Sequence, residues 1–256
     1  INYALDIDTY IQEAWLGEAW QLPGVIPQGR LGYDPNLPKY TFDLEKAEEE
    51  LRLAWGGELW QKGFRLTITY NQGNLARKFV AEMIERTLES FNQKRQEEGL
   101  RGMFVIEVQD LPWPTYLKYM DAGQLAMFFI GWLEDYAHPD NWVKPYMHRT
   151  GAFAMNQHFD TIKNVEFTPV YATWLPAKTY DTLQDLFDEL IEMASRETDF
   201  AKAEKLYFEL NRLAHEWAIN VGHIQLLARH YEQLWVQGWY YNPAYPGEYF
   251  YVLWKG

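Results

Sequence analysis

The chain has no cysteine among its 256 residues, which excludes disulfides, zinc–thiolate sites and a thiol nucleophile. Positive charge is also scarce. Its 23 Lys and Arg stand against 36 Asp and Glu, a net charge of −13, so a phosphate backbone would be repelled and no nucleic-acid partner is expected. No apolar run is long enough to cross a bilayer. The Gly-x-Ser-x-Gly elbow, the Gly-Lys-Ser/Thr phosphate loop and the Rossmann glycines are all missing. His215-Glu216 opens like a zinc-protease helix, but that chemistry needs a second His four residues after the first, and Ile219 stands there. Neither a metal nor a cofactor is called for.

What the chain has in excess is aromatic surface: rings make up 17% of it, with 12 Trp and 18 Tyr. They either fill a Trp-rich core or line a binding cleft. A composition 48% hydrophobic and 23% charged is ordinary for a folded protein. The length allows one large domain or two smaller ones. The chain opens on Ile1-Asn2-Tyr3-Ala4-Leu5-Asp6, with neither Met nor a charged-then-apolar leader, and is expected to be an excerpt from a longer protein.

Periodicity predicts an amphipathic helix over residues 1–20, with Tyr10, Ile11, Ala14 and Trp15 on one stripe, then a Pro/Gly-punctuated loop over 23–38. Asp43 is placed to cap the next helix, which carries Glu45 in its first turn and Leu44, Ala47, Leu51 and Ala54 on its apolar face. Strand and helix then alternate: strand 65–70, helix 74 to about 94, strand 103–108, short helix 115–122 and strand 125–130. That order implies an α/β fold, a βαβαβ parallel or mixed sheet with right-handed crossovers, flanked by helices. Two further helices are predicted, one running from Tyr180 through Leu183, Leu186, Phe187, Leu190 and Ile191 to Ala194, the other from Ala203 through Leu206, Tyr207, Leu210 and Leu213 to Trp217. From Ile224 the text turns strand-like, over 231–239, and turn-like, at Asn242-Pro243 and Tyr245-Pro246-Gly247.

In open parallel sheets ligands sit beyond the carboxyl ends of the strands. The first strand ends at Asn71-Gln72-Gly73-Asn74, and the third runs into Gly131-Trp132-Leu133-Glu134-Asp135-Tyr136-Ala137-His138-Pro139-Asp140-Asn141-Trp142. Both loops are expected on the same edge. The second crowds rings, carboxylates and an amide together, which suits gripping a small polar ligand between apolar walls. A carboxylate such as Asp135 at a strand end can hold a primary amine by charge-assisted hydrogen bonds without catalysing anything. Trp132, Tyr136 and Trp142 can pack on ligand side chains or on a sugar face. The plainer readings are simple burial for each ring and loop capping for Asp135. Glu134 and Asp135 beside several Trp also suggest a glycoside hydrolase, which needs two carboxylates facing each other at roughly 5–9.5 Å. Neighbours on an extended segment point to opposite sides, and a partner such as Asp140 or Glu107 is unsupported.

The segment Gly131-Trp132-x-x-Asp135-Tyr136-x-x-Pro139-Asp140-Asn141 resembles the signature loop of the family 5 extracytoplasmic solute-binding proteins of ABC importers, the dipeptide/oligopeptide-binding group. Asn2-Tyr3-Ala4-Leu5-Asp6 resembles the opening of that family's second large lobe, and Pro27 with Gly32-Tyr33-Asp34-Pro35 its following loop. Asp43-Leu44-Glu45-Lys46-Ala47 is similar to the next helix, and the tail from Trp235 to Pro243 to the last strands. The resemblance implies a C-terminal half. A lobe over residues 1–222 is expected, with residues 223–256 returning to an absent N-terminal lobe. It implies a non-enzymatic importer subunit that closes like a hinged trap on a peptide, outside the cytoplasmic membrane, before handing it to permease subunits; lipid anchoring is left open. An oligosaccharide receptor of the same family is the alternative. By the resemblance Asp135 pairs with the ligand amine. Trp132, Tyr136 and Trp142 wall the cleft, and Asn71, Asn141 and Gly131 complete the site. Dipeptide binders place an Arg in the loop matching 70–74; here that loop reads Tyr-Asn-Gln-Gly-Asn.

Overall fold

A computed structural model describes residues 1–242 and 247–256. The expected turns at Asn242-Pro243 and Tyr245-Pro246-Gly247 lie, from Pro243 to Pro246, outside the described residues. The chain divides into two units.

The first unit comprises Ile1–Gln21, Pro38–Ile130 and Asn220–Ile224. Asp6 caps α1 (Ile7–Trp15) by accepting from Thr9 N at 3.0 Å, and left-handed Leu16 ends it. The helix expected over 1–20 is therefore confined to nine residues, and the chain goes on into a short strand, β1 (Ala19–Gln21). Asp43 caps α2 (Leu44–Leu53) through Lys46 N at 3.0 Å, as its sequence position predicts. A short helix α3 (Glu58–Lys62) follows. At Gly63 the chain turns with φ +75°, where a Cβ would meet Met103 O at 2.4 Å, so only glycine fits.

Then come β2 (Phe64–Asn71), α4 (Leu75–Glu97), β3 (Phe104–Leu111), α5 (Trp113–Asp121) and β4 (Met127–Phe128). The three strands run parallel in the order β3-β2-β4, in register from Phe64 opposite Phe104 to Asn71 opposite Leu111. Alternation sends Ile68, Phe104 and Ile106 into one cluster with Val80, Ile84 and Leu88 of α4. Thr67, Thr69, Gln109 and Leu111 take the opposite face. β4 is shorter than the predicted 125–130. Tyr116, buried on α5, puts its hydroxyl where a ladder partner would be: it accepts from Phe129 N at 2.8 Å and donates to Phe129 O at 2.5 Å.

The second unit comprises Leu22–Leu37, Gly131–Ile219 and Gln225–Gly256. Its elements are α6 (Asp140–Met147), β5 (Lys163–Phe167), β6 (Lys178–Thr182), α7 (Leu183–Arg196) and α8 (Phe200–Glu216). The 3-residue strand β7 (Ile224–Leu226) straddles the boundary between the units. β8 (Val236–Gln237) and β9 (Trp254–Lys255) pair antiparallel in the tail. Both predicted helical stripes are core, with Leu186, Phe187, Leu190, Leu206 and Leu210 fully buried. Tyr180, expected on the first of these helices, lies instead in β6 opposite Val165, because Thr182 caps α7 through Asp185 N at 3.0 Å and starts the helix only at Leu183. The strand expected over 231–239 shrinks to Val236 and Gln237. Asn141 and Trp142, read as loop, open α6.

Candidate functional site

The segment that follows β4 runs without helix or strand from Gly131 to Pro139 and then enters α6. Three side chains hold it in shape. The first is Asn141, which is buried. Its Oδ1 accepts from Trp132 Nε1 at 3.1 Å and from Asp135 N at 2.8 Å, while its Nδ2 donates to Asp135 Oδ2 at 3.3 Å. The second is Glu134, whose Oε2 accepts from Trp142 Nε1 at 2.9 Å and from Arg30 Nε at 2.7 Å; Arg30 Nη2 bonds the other oxygen. The third is Asp140, which accepts from the Tyr136 hydroxyl at 2.9 Å and meets His138 Nδ1 on its other oxygen.

Electrostatics sorts these carboxylates. The Arg30 guanidinium holds the Glu134 carboxyl below its ordinary value, with the Trp142 indole helping and burial opposing. The pairing favours the ionised form of this carboxyl. Asp140 is matched by a hydroxyl and an imidazole. Asp135 is exposed, and among the described residues its carboxylate accepts only from the Asn141 amide. Its backbone N–H is fixed by the same side chain, so the carboxylate is oriented yet carries no cation partner.

Trp132 and Trp142 are half-buried and Tyr136 is exposed; Trp132 meets the Phe153 ring edge-on at 5.8 Å. The ring of His138 stands edge-on to Tyr207 at 5.7 Å. The Tyr207 hydroxyl is buried with no hydrogen-bond partner among the described residues, and burial raises its pKa, with Asp140 adding to the shift. Among the described residues no group of three or more His, Asp and Glu is arranged to hold a metal ion.

Trp132, Asp135, Asn141 and Trp142 thus belong to one hydrogen-bonded loop in the second unit, with Gly131 at its exposed start and Tyr136 on Asp140. Asn71 lies in the first unit, at the carboxyl end of β2, where its Oδ1 accepts from Arg77 Nη1 at 2.8 Å. Sequence reasoning missed Arg30, which lies inside the loop carrying Pro27 and Gly32-Tyr33-Asp34-Pro35 but stands 104 residues from Glu134.

Arg30→Gln is expected to cost about 2 kcal/mol, the scale of a charge-assisted hydrogen bond in a half-buried pair. The contribution also has a pH signature. Glu134 is depressed in the fold, so the stabilisation is present above its ordinary value of 4.5 and is lost as pH falls through the lower folded value. Melting curves taken from pH 6 down to about pH 3 should show an acid-dependent loss that the variant lacks.

A three-stranded parallel sheet built from βαβαβ and flanked by helices has the α/β architecture of a periplasmic-binding-protein lobe. Residues 1–154 match the bacterial extracellular solute-binding proteins, family 5 (middle region), and the chain belongs to that family. It is 27% identical over 148 residues to the dipeptide-binding protein of Escherichia coli K12, covering 55% of this chain and 24% of that protein. It is 26% identical over 211 residues to di/tripeptide-binding protein 2 of Pseudomonas aeruginosa UCBPP-PA14, covering 81% and 33%. The structure superposes on the ABC transporter-associated periplasmic binding protein DppA of Helicobacter pylori, solved with the peptide STSA, at TM-score 0.62 and 22% identity, over 99% of this chain and 42% of that one. The chain thus spans about a quarter to a third of the length of the curated relatives it matches.

Proposed function

We propose that the full-length protein captures peptides outside the cytoplasmic membrane and delivers them to the permease subunits of an ABC importer, without catalysing a reaction. The observation that carries this reading is Asp135: an exposed, oriented carboxylate without a cation, in a loop whose other two carboxylates are matched. A peptide α-amino group supplies the missing cation through charge-assisted hydrogen bonds. Trp132, Tyr136 and Trp142 provide ring faces for ligand side chains, and Gly131 leaves the backbone open beside them. Asn141 acts by aiming Asp135. The relatives it resembles, dipeptide- and di/tripeptide-binding proteins, support the same ligand class.

In this reading the ligand-binding lobe runs from residue 1 to about 222, and the tail from His223 completes a partner lobe of the same protein. The tail leaves Leu234 98% exposed and Tyr251 88% exposed, with Tyr231 and Phe250 close behind. So many large apolar side chains in one short segment call for a covering surface.

In the full-length protein Asp135→Asn should weaken peptide binding by about 1.5–3 kcal/mol, measured by calorimetry, with the melting temperature of the free protein little changed. A peptide affinity that ignores the substitution, together with oligosaccharides that raise the melting temperature, would overturn the peptide reading in favour of sugar.

A further inference from the structure

Tyr207, on α8 in the second unit, is 0% exposed, and among the described residues its hydroxyl has no hydrogen-bond partner. A phenol stripped of both water and partners is unfavourable and calls for a physical reason. Its neighbours come from the loop that carries Asp135. The His138 ring meets it edge-on at 5.7 Å. Asp140 and Tyr136 lie near enough for their charges to reinforce the effect of burial on the phenol. At the other end of the side chain a Cβ on Gly32 would stand 2.3 Å from Tyr207 Cβ, so the base of the ring is wedged in place.

Asp140 is the acceptor that both phenols can use. Its Oδ2 accepts from the Tyr136 hydroxyl at 2.9 Å, while its Oδ1 meets His138 Nδ1. Tyr136 is 48% exposed, so water can satisfy its hydroxyl at any time. Tyr207 is shut off from water. The charged acceptor therefore serves the phenol that does not need it, and the buried phenol nearby goes without. Hydrogen bonds to a carboxylate are the stronger kind, so the two hydroxyls compete for one group. Two arrangements follow, with Asp140 on Tyr136 or with Asp140 on Tyr207.

We infer that Tyr207 is a positioning residue of the loop: a ligand that engages Tyr136 draws its hydroxyl off Asp140, and Asp140 then accepts from Tyr207. The exchange satisfies the buried phenol only in the occupied state. A ligand shifts a two-state element through such a difference and no other. It also pins the start of α6, which carries Asp140 and Asn141, to α8. Asn141 orients Asp135, so the pinned helix steadies the carboxylate that meets the ligand amine. The inference rests on the reading of this loop as a peptide site.

The test uses the full-length protein and equilibrium dialysis against a pool of tripeptides built from Ala and Leu. Tyr207→Phe removes the hydroxyl and keeps the ring. The melting temperature of the free protein should hold or rise, because the unsatisfied group is gone. The half-saturating peptide concentration should rise about tenfold, the scale of one hydrogen bond to a carboxylate. Affinity within about twofold of the wild type overturns the inference, and is the result expected where a fixed water serves the hydroxyl. Should melting temperature and affinity both fall, the double variant decides. Tyr136→Phe releases Asp140 before any ligand arrives, so in that background Tyr207→Phe should lower the melting temperature and change affinity by no more than about twofold. Additive losses of affinity in the double variant overturn the inference alone. Wild type that binds no tripeptide overturns the peptide reading and this inference with it.

Discussion

Arg95→Ala is expected to destabilise the first unit by about 3–5 kcal/mol, from orphaned carbonyls and the cavity a large buried side chain leaves. Arg95 is 0% exposed, inside α4. Its Nε and Nη2 donate to Trp60 O at 2.9 and 2.7 Å, and its Nη1 donates to Gly102 O and, at 3.3 Å, to Asn92 Oδ1. The same Asn92 accepts from Phe104 N at 2.7 Å and donates to Phe104 O at 2.7 Å. One guanidinium therefore ties the end of α3 and the start of β3 to the long helix, and its plane lies over the Phe104 ring at 4.2 Å. Truncation leaves the Trp60 and Gly102 carbonyls buried without donors, each costing about 1–3 kcal/mol, and opens a cavity besides. For a protein of this size the melting midpoint should fall by roughly 6–20 °C. Lys in place of Arg should not restore it, since one compact ammonium does not reproduce the spread planar donors that meet Trp60 O and Gly102 O. A midpoint within 2 °C of the wild type, on the scale of about 0.5–1 kcal/mol, would contradict the assignment.

Glu209→Gln should be almost as costly to the second unit, at about 2–4 kcal/mol. Glu209 is 0% exposed on α8. Its Oε1 accepts from three successive backbone N–H groups, Val170 and Tyr171 at 2.5 Å and Ala172 at 3.0 Å, and its Oε2 accepts from Arg212 Nε at 2.9 Å. The carboxylate is the acceptor of a backbone nest, and Arg212 balances its charge. An amide keeps the shape but turns one oxygen into a donor facing other donors. The readout that separates this from general loosening is hydrogen exchange: protection at Val170, Tyr171 and Ala172 should collapse before that of the α7 and α8 core. Equal protection in both proteins would sink the prediction.

Local chemistry made much of the fold legible. Asp43 caps α2, and Asn74 caps α4 by accepting from Arg77 N at 3.0 Å; both helices begin where a side-chain oxygen precedes an apolar period. The β-branched and aromatic residues around Ile68 marked β2, and their alternation with helical periods gave the parallel order. β5 and β6 escaped notice: Lys163, Asn164, Glu166, Lys178, Thr179 and Asp181 make them mostly polar, and only Val165, Phe167, Tyr180 and Thr182 turn inward. The length of β4 was misread for a different reason. Tyr116, 13 residues away, replaces the strand partner that periodicity assumed at Phe129.

The candidate site divides in the same way. Its chemistry, rings and carboxylates gathered in the loop after the third strand, can be read from residues 131–142 alone, since neighbours in sequence stay neighbours in space. Which carboxylate stays open to a ligand cannot be read there. Glu134 loses its freedom to Arg30, which lies 104 residues away in sequence. Sequence determined which groups are present and which segments are strand or helix, because caps and periodicity act over a few bonds. Only tertiary structure decided which charges cancel, because an ion pair depends on distance through space and the folded chain alone sets that distance.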